Sequence, residues 1–185
     1  MAEEVFCIAG DGGPLVVLQS SAALQWQGVG DSENSLMNSG EAETDYGFIC
    51  DSQDSEVCVV TRYSRDMLVL WDSEYGMSLL SSELLSLASD VLIITMGYYP
   101  DDLPSILPEI RECLRRGKPD LSLPFHIQDT ILRLQVGVFG SQDLDLTDYR
   151  DIPVVPSRKR CDVYLPYAHT GFIVVYPVAQ ETDAG

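Results

Sequence analysis

The apolar residues of this chain fall into short runs rich in β-branched side chains, separated by Gly, Pro, Asp and Ser. Runs of this length and composition are typical of β-strands. The longest run, VLIITMGYY at 91–99, predicts a central strand. The strands do not alternate with helical segments, so the predicted fold class is α+β, with a mainly antiparallel β-sheet built from hairpins. Further strands are predicted at 5–10, 15–19, 57–63, 67–71, 77–80, 130–140, 152–156, 161–166 and 171–178.

Turn-forming residues between neighbouring runs predict which strands pair. The sequence GDGGP separates the runs at 5–10 and 15–19 and predicts a β-hairpin there. A second hairpin is predicted at VCVVTRY-SRD-MLVLW, and the turn YAHTG joins the last two strands. The alternation of apolar and polar residues in CDVYLP (161–166) predicts that one face of that strand meets solvent.

The segment PDDLPSILPEIRECLRRGKPD (100–120) predicts one main helix near residues 102–116, because its apolar residues recur at spacings of three and four. Gly117 and Pro119 are typical of the sequence that follows a helix C-terminus. Pro108 lies inside the helix and is expected to kink it or to delay its start.

Two shorter helices are predicted, near 21–27 and near 82–89. Ser20 and Ser21 suit the N-terminal cap of the first, which is expected to bring Trp26 into the core. The length of 185 residues favours a single domain over 1–185, and a subdivision into halves 1–80 and 90–180 stays open.

The formal net charge of −18 is unevenly distributed along the chain. From Met1 to Thr61 there are eleven acidic residues and no Lys or Arg. Nucleic acid and anionic membrane surfaces are bound through Lys and Arg, so neither is expected as a partner. A basic protein partner is favoured, with long-range attraction speeding its capture. The alternative is that the acidity serves solubility alone.

Cofactors and metals are not expected. GDGGP lacks the lysine of a phosphate-binding P-loop and the GxGxxG order of a dinucleotide site. The five cysteines are irregularly spaced and contain no CxxC, which disfavours structural zinc and favours buried free thiols, with Cys50 and Cys58 in the core. The acidic N-terminus MAEEVFCIAG does not resemble a secretory signal, so a cytoplasmic location is expected.

The histidines His126 and His169 are the candidate general bases of the chain. Neither lies in a GxSxG nucleophile-elbow pattern, and abundant acids make chance carboxylate pairs inevitable. No catalytic residue is therefore assigned. A small acidic enzyme that uses one of these histidines stays open as an alternative.

Four stretches of the N-terminal half, in this order, resemble the bacterial immunity protein 21 family of polymorphic toxin systems. They are GGPLVVL (12–18), LQWQGV (24–29), TDYGFIC (44–50) and DMLVLWDSE (66–74). The closing CDVYLPYAHTGFIVVYPV is similar to the family's C-terminal strand, turn and strand. The resemblance implies a cytoplasmic, non-enzymatic protein that binds and neutralises a cognate toxin. A binding module or adaptor unrelated to toxins is the other alternative.

The acidic segment 31–56 and neighbouring aromatic residues are the predicted partner-binding site. Acids in this segment would steer a basic toxin, and aromatic side chains would anchor the centre of the interface. Tyr98 and Tyr99 are further candidate anchors. The residues assigned to partner binding are Glu41, Glu43, Asp45, Asp51, Asp54, Trp71 and Tyr75.

Overall fold

The protein is seen in a computed structural model that describes residues 6–8, 14–28, 44–52, 55–70, 77–88, 91–97, 103–137, 140, 144, 149–167 and 170–177. These residues form two antiparallel β-sheets that pack face to face, together with short helices, which confirms the α+β fold class. One sheet has six strands in the order β1-β5-β6-β11-β10-β7, and the other has five in the order β3-β4-β2-β8-β9.

The strands are short, as the sequence runs predict. Their bounds are β1 (Phe6–Ile8), β2 (Leu15–Gln19), β3 (Val57–Arg62), β4 (Arg65–Leu70), β5 (Met77–Leu80), β6 (Leu92–Met96), β7 (Leu121–Ile127), β8 (Ile131–Val136), β9 (Tyr149–Pro153), β10 (Ser157–Tyr167) and β11 (Thr170–Pro177). Both sheets take strands from the N-terminal and the C-terminal half of the chain, so the halves 1–80 and 90–180 are interleaved.

The helices comprise α1 (Ser20–Ala23), α2 (Asp45–Asp51), a 3₁₀ helix (Ser82–Leu85) and α3 (Leu103–Arg116). The main helix is confirmed, with Pro108 inside it and Gly117 directly after its end. The sequence did not predict α2. Its N-terminus is capped by Thr44, whose hydroxyl accepts the Gly47 N–H at 2.9 Å.

The hairpin predicted around GDGGP is wrong. β1 pairs with β5 at the edge of the six-stranded sheet, while β2 lies between β4 and β8 in the other sheet. All five residues of β2 are buried, so the backbone N–H and C=O groups along both of its edges need partners, which β4 and β8 provide. Pro14 is described, whereas 9–13 lie outside the described residues.

The hairpin of β3 and β4 is confirmed, and its two-residue turn is at Tyr63 and Ser64. Both residues have positive φ, 54° and 58°, as the type I′ turn of tight hairpins requires. The β10–β11 pairing is also confirmed. The exposed face predicted for 161–166 is wrong, because Cys161 to Tyr164 are all buried. One face points into the sandwich and the other lies under α3.

The core has three parts. The largest lies between the two sheets. A second lies between α3 and the outer face of the six-stranded sheet, where the Tyr164 and Phe172 rings stack at 4.8 Å. The third covers the outer face of the five-stranded sheet with Trp26 and the Ile49 side chain of α2. The prediction that Trp26 is a core residue is confirmed, and its indole N–H donates to the Gly137 carbonyl at 3.1 Å.

A polar network joins the sheets where β7 turns into β8. The buried Gln19 side chain donates to the carbonyls of Asp66 and His126 and accepts the N–H groups of Gln128 and Asp129. The α1 cap comes from Asp129, whose carboxylate accepts the Ser21 N–H at 2.7 Å. The predicted capping by Ser20 and Ser21 is therefore wrong, because the N-cap residue is Gln19 and its side chain makes no cap hydrogen bond.

Candidate protein-binding surface

The two ends of the segment 29–43 are held together by hydrogen bonds. The Tyr46 N–H donates to the Gly28 carbonyl at 3.1 Å, and the Gln27 N–H donates to the Asp45 carboxylate at 2.6 Å. The chain therefore leaves and returns at one place on the outer face of the five-stranded sheet. The segment between these ends carries Asp31, Glu33, Glu41 and Glu43, and its own structure lies outside the described residues.

Asp45 is the central residue of the contacts that hold the two ends of the segment 29–43 together. It is 2% exposed, and besides the Gln27 N–H its carboxylate accepts the Tyr63 hydroxyl at 2.8 Å and the Arg62 Nε–H. The assignment of Asp45 to a partner-facing acidic surface is corrected by this burial. Its charge is neutralised inside the protein by Arg62 and does not act on a distant partner.

The guanidinium of Arg62 lies over two aromatic rings. Its guanidinium carbon is 4.6 Å from the centre of the Phe48 ring and 5.2 Å from that of Tyr63. Such cation–π contacts stabilise a partly desolvated guanidinium. Partial burial, followed by the hydrogen bond to Asp45, raises the pKa of Tyr63, so its hydroxyl stays a proton donor at neutral pH. The first cation of the chain is thus fully engaged in the fold.

Helix α2 has one side that is buried and one side that is exposed to solvent. Ile49 and Gly47 are buried, whereas Cys50 and Asp51 at its C-terminal end are exposed. The core position predicted for Cys50 is wrong, because the helix turns this thiol outward. The prediction for Cys58 is confirmed, since it is buried under α2.

Three aromatic side chains, Tyr46, Phe48 and Tyr63, pack on this part of the core and stay half-buried. Together with the exposed carboxylate of Asp51 they form a surface next to the two ends of the acidic segment, which we call the α2 face. Half-buried aromatic side chains offer apolar contact area at little entropic cost, and they are enriched at the centres of protein interfaces. The sequence predictions missed Phe48 and Tyr63, although Phe48 lies within the TDYGFIC motif and Tyr63 lies three residues before DMLVLWDSE.

The structure does not bring the other predicted site residues together. Glu41, Glu43, Asp54, Trp71 and Tyr75 lie outside the described residues, as do Tyr98, Tyr99 and His169. Of the residues assigned to partner binding, the structure places Asp45 in the interior and Asp51 at the surface.

His126 is exposed on the edge strand β7, and its backbone N–H donates to the Asp66 carboxylate at 2.9 Å. Within the described ranges no three His, Cys, Asp or Glu side chains are grouped so that they could hold a metal ion. In the same part of the chain, no helix is both long and apolar enough to cross a bilayer.

Comparison of the chain with family models, with curated proteins and with solved structures gives no match. The resemblance to the immunity protein 21 family therefore rests on the sequence motifs alone.

Proposed function

We propose that this chain is an immunity protein that binds a cognate bacterial toxin domain and neutralises it. The observation that carries the proposal is the charge of the N-terminal third, where eleven acidic residues precede Arg62, the first Lys or Arg of the chain. The first available cation, Arg62, is already engaged by the interior Asp45. The acids of the 29–43 segment therefore have no cation near them in sequence to neutralise them.

An excess of acid on one side of a protein attracts a basic partner over distances of about a Debye length, roughly 8 Å at physiological ionic strength. Most of the cations of the chain are themselves paired with acids, so few of them are left to offset the N-terminal acids. At least six of the eleven Lys and Arg residues are in ion pairs, including Arg65 with Asp129 and Arg133 with Asp151. We therefore propose that Glu41, Glu43, Asp51 and Asp54 steer a basic toxin toward the α2 face.

Steering speeds encounter, but apolar contact supplies most of the affinity of a lasting complex. The half-buried rings of Tyr46, Phe48 and Tyr63 support the proposal that this contact is made on the α2 face. Trp71 and Tyr75 stay predicted anchors. The proposal includes a cytoplasmic location and needs neither a cofactor nor a nucleic acid partner.

The direct test is expression with the toxin. A gene beside that of this chain should encode a large toxin whose C-terminal domain inhibits growth, and this chain should restore growth and co-purify with that domain. If this chain co-purifies with a protein whose gene is not that of a toxin, the result would favour an adaptor of acidic surface. A turnover activity that is lost in either the His126→Ala or the His169→Ala variant would favour the enzyme alternative.

The steering step is tested by association kinetics. Glu43→Lys should lower the association rate constant, with a smaller effect on dissociation, and the wild-type rate should fall as salt is added. Glu109→Lys on α3 is the matched control, because it changes the net charge equally on the far side of the other sheet. Equal effects of the two variants would show that only net charge matters, and a salt-independent rate would refute steering.

A further inference from the structure

A cavity of about 350 Å³ lies at one end of the sandwich, between the two sheets. Leu92 and Val175 of the six-stranded sheet face Leu132 and Ile152 of the five-stranded sheet across it. The connection from β9 to β10 closes one side, and its Val154 N–H is fixed to the Thr130 carbonyl at 2.9 Å. This volume is within the range of small-molecule sites, about 300–1,000 Å³.

Lys159 is the one charged residue among the described residues that line this cavity. It is only 5% exposed, although its neighbours in β10, Arg158 and Arg160, are both exposed. Side chains alternate along a strand, so Lys159 shares the inward face of Cys161 and Val163. The strand thus directs two cations to solvent and one to the interior.

The ammonium of Lys159 makes no ion pair or hydrogen bond with any of the residues that the structure describes. Its nitrogen is not among the fully buried polar atoms of the described residues that lack a hydrogen-bond partner, so the ammonium of this nearly buried side chain keeps some contact with solvent. The other cations of β10 illustrate the contrast, because Arg160 is paired with Asp162 at 3.0 Å. Lys159 therefore borders a largely apolar cavity with a cation that no described residue pairs, and a carboxylate bound there could form a charge-assisted hydrogen bond with it.

The other residues of the lining determine which kind of chain the rest of the ligand would have. Every other described residue of the lining is apolar, and Val155 at the connection between β9 and β10 is 67% exposed. A ligand that fits has one negative end and an aliphatic chain. A phosphate group is a poorer match, because phosphate sites use an Arg fork or several backbone N–H groups and this cavity presents one ammonium.

We propose that this cavity binds an aliphatic monocarboxylate, with its carboxylate on the Lys159 ammonium and its chain between the sheets. The site shares no residue with the α2 face, so this proposal is tested independently of the proposed function. The carboxylate would form a charge-assisted hydrogen bond beside a largely apolar cavity, and bonds of this kind are stronger than those between neutral groups.

Isothermal titration of the full chain with octanoate tests the proposal. The wild type should bind octanoate at one site, and should bind octanol, which lacks the charge, about tenfold or more weakly. Lys159→Met keeps an unbranched side chain of similar length and should weaken octanoate binding by a similar factor while leaving octanol binding unchanged. Arg158→Met is the matched control, since it removes a cation from the opposite face of the same strand, and should bind octanoate as the wild type does.

A second variant keeps the test decisive if Lys159→Met does not fold by circular dichroism. Ile152→Trp fills the cavity from the other sheet and leaves the ammonium in place, and it should abolish octanoate binding. The proposal is overturned if the wild type does not bind octanoate, or if octanol binds equally well. Equal weakening in Arg158→Met, or undiminished binding in Ile152→Trp, would overturn it as well.

Discussion

The Asp45→Asn variant tests whether the interior carboxylate holds the ends of the acidic segment together. The substitution keeps the size of the side chain and removes its charge. In the wild type both carboxylate oxygens accept, one from the Gln27 N–H at 2.6 Å and the other from the Tyr63 hydroxyl and the Arg62 Nε–H. An amide has one acceptor oxygen, so its NH₂ group must face a donor on one of the two sides.

The expected loss follows from these contacts. Hydrogen bonds to a charged group contribute about 1.5–3 kcal/mol each, and removing one partner of a fully buried ion pair costs about 3–5 kcal/mol. Arg62 retains some solvent contact and its cation–π contacts with two rings, which lowers the second figure. We expect a decrease of about 3 kcal/mol in the free energy of unfolding, on the basis of these ranges. For a chain of this length that is a decrease in Tm of about 6–12 °C.

Urea unfolding followed by circular dichroism and tryptophan fluorescence measures this loss. Asp51→Asn is the control, because it neutralises an exposed acid at the other end of the same helix. It should change stability by less than about 0.5 kcal/mol, and in the stabilising direction, since a negative charge opposes the helix dipole at a C-terminus. If Asp45→Asn is as stable as Asp51→Asn, the buried carboxylate does not hold this closure, and the reasoning is refuted.

Three further predictions concern the framework around this surface. Ser64→Gly should stabilise the protein by about 0.5–1 kcal/mol in urea unfolding, because Ser64 has a φ of 58° that costs any residue with a Cβ more than glycine; an unchanged or lower stability would contradict this. Gly137→Ala should destabilise by about 1–3 kcal/mol, because the added Cβ would lie 2.9 Å from the Pro14 carbonyl oxygen, and a wild-type urea midpoint would contradict this. Asp129→Asn should cost about 1–2 kcal/mol near neutral pH through the lost helix cap. Partial burial raises the pKa of Asp129, but the hydrogen bonds from Ser21 and Arg65 together lower it by more, so its net shift is downward. The cost of Asp129→Asn should therefore be full above about pH 5 and should shrink as the pH falls through the folded pKa, and a cost that stays constant down to acid pH would contradict the assignment.

The strands could be predicted from the sequence more reliably than their partners. A β-branched run between turn residues indicates a strand wherever it lies, but GDGGP fits a hairpin turn and a crossing between sheets equally well. β2 shows what decided the outcome, since its five buried residues needed a neighbour on each side. That requirement comes from the packing of the whole sandwich and is not visible in the local sequence.

Two elements were missed for a different reason. β7, with the sequence LSLPFHI, contains Pro124, which is tolerated because the strand lies at a sheet edge. α2, with the sequence DYGFICD, has aromatic and β-branched residues and a glycine, which disfavour a helix. Its cap at Thr44 and the burial of Ile49 against the sheet offset that low propensity. In both cases tertiary context overrides local preference.

The number of charged residues in the sequence predicts that the surface is negatively charged, but it does not predict the role of each acidic residue. Asp45 and Asp51 are six residues apart on one helix, and only the second faces solvent. The difference follows from contacts with Gln27, Arg62 and Tyr63 that come from separate elements and meet only in the fold. A charge reversal at Asp45 would therefore weaken the proposed partner binding by disturbing the contacts that hold the ends of the acidic segment together, even if electrostatic steering contributed nothing. Reversals at exposed acids such as Asp51 change the surface field alone, so they are the variants whose association rates bear on steering.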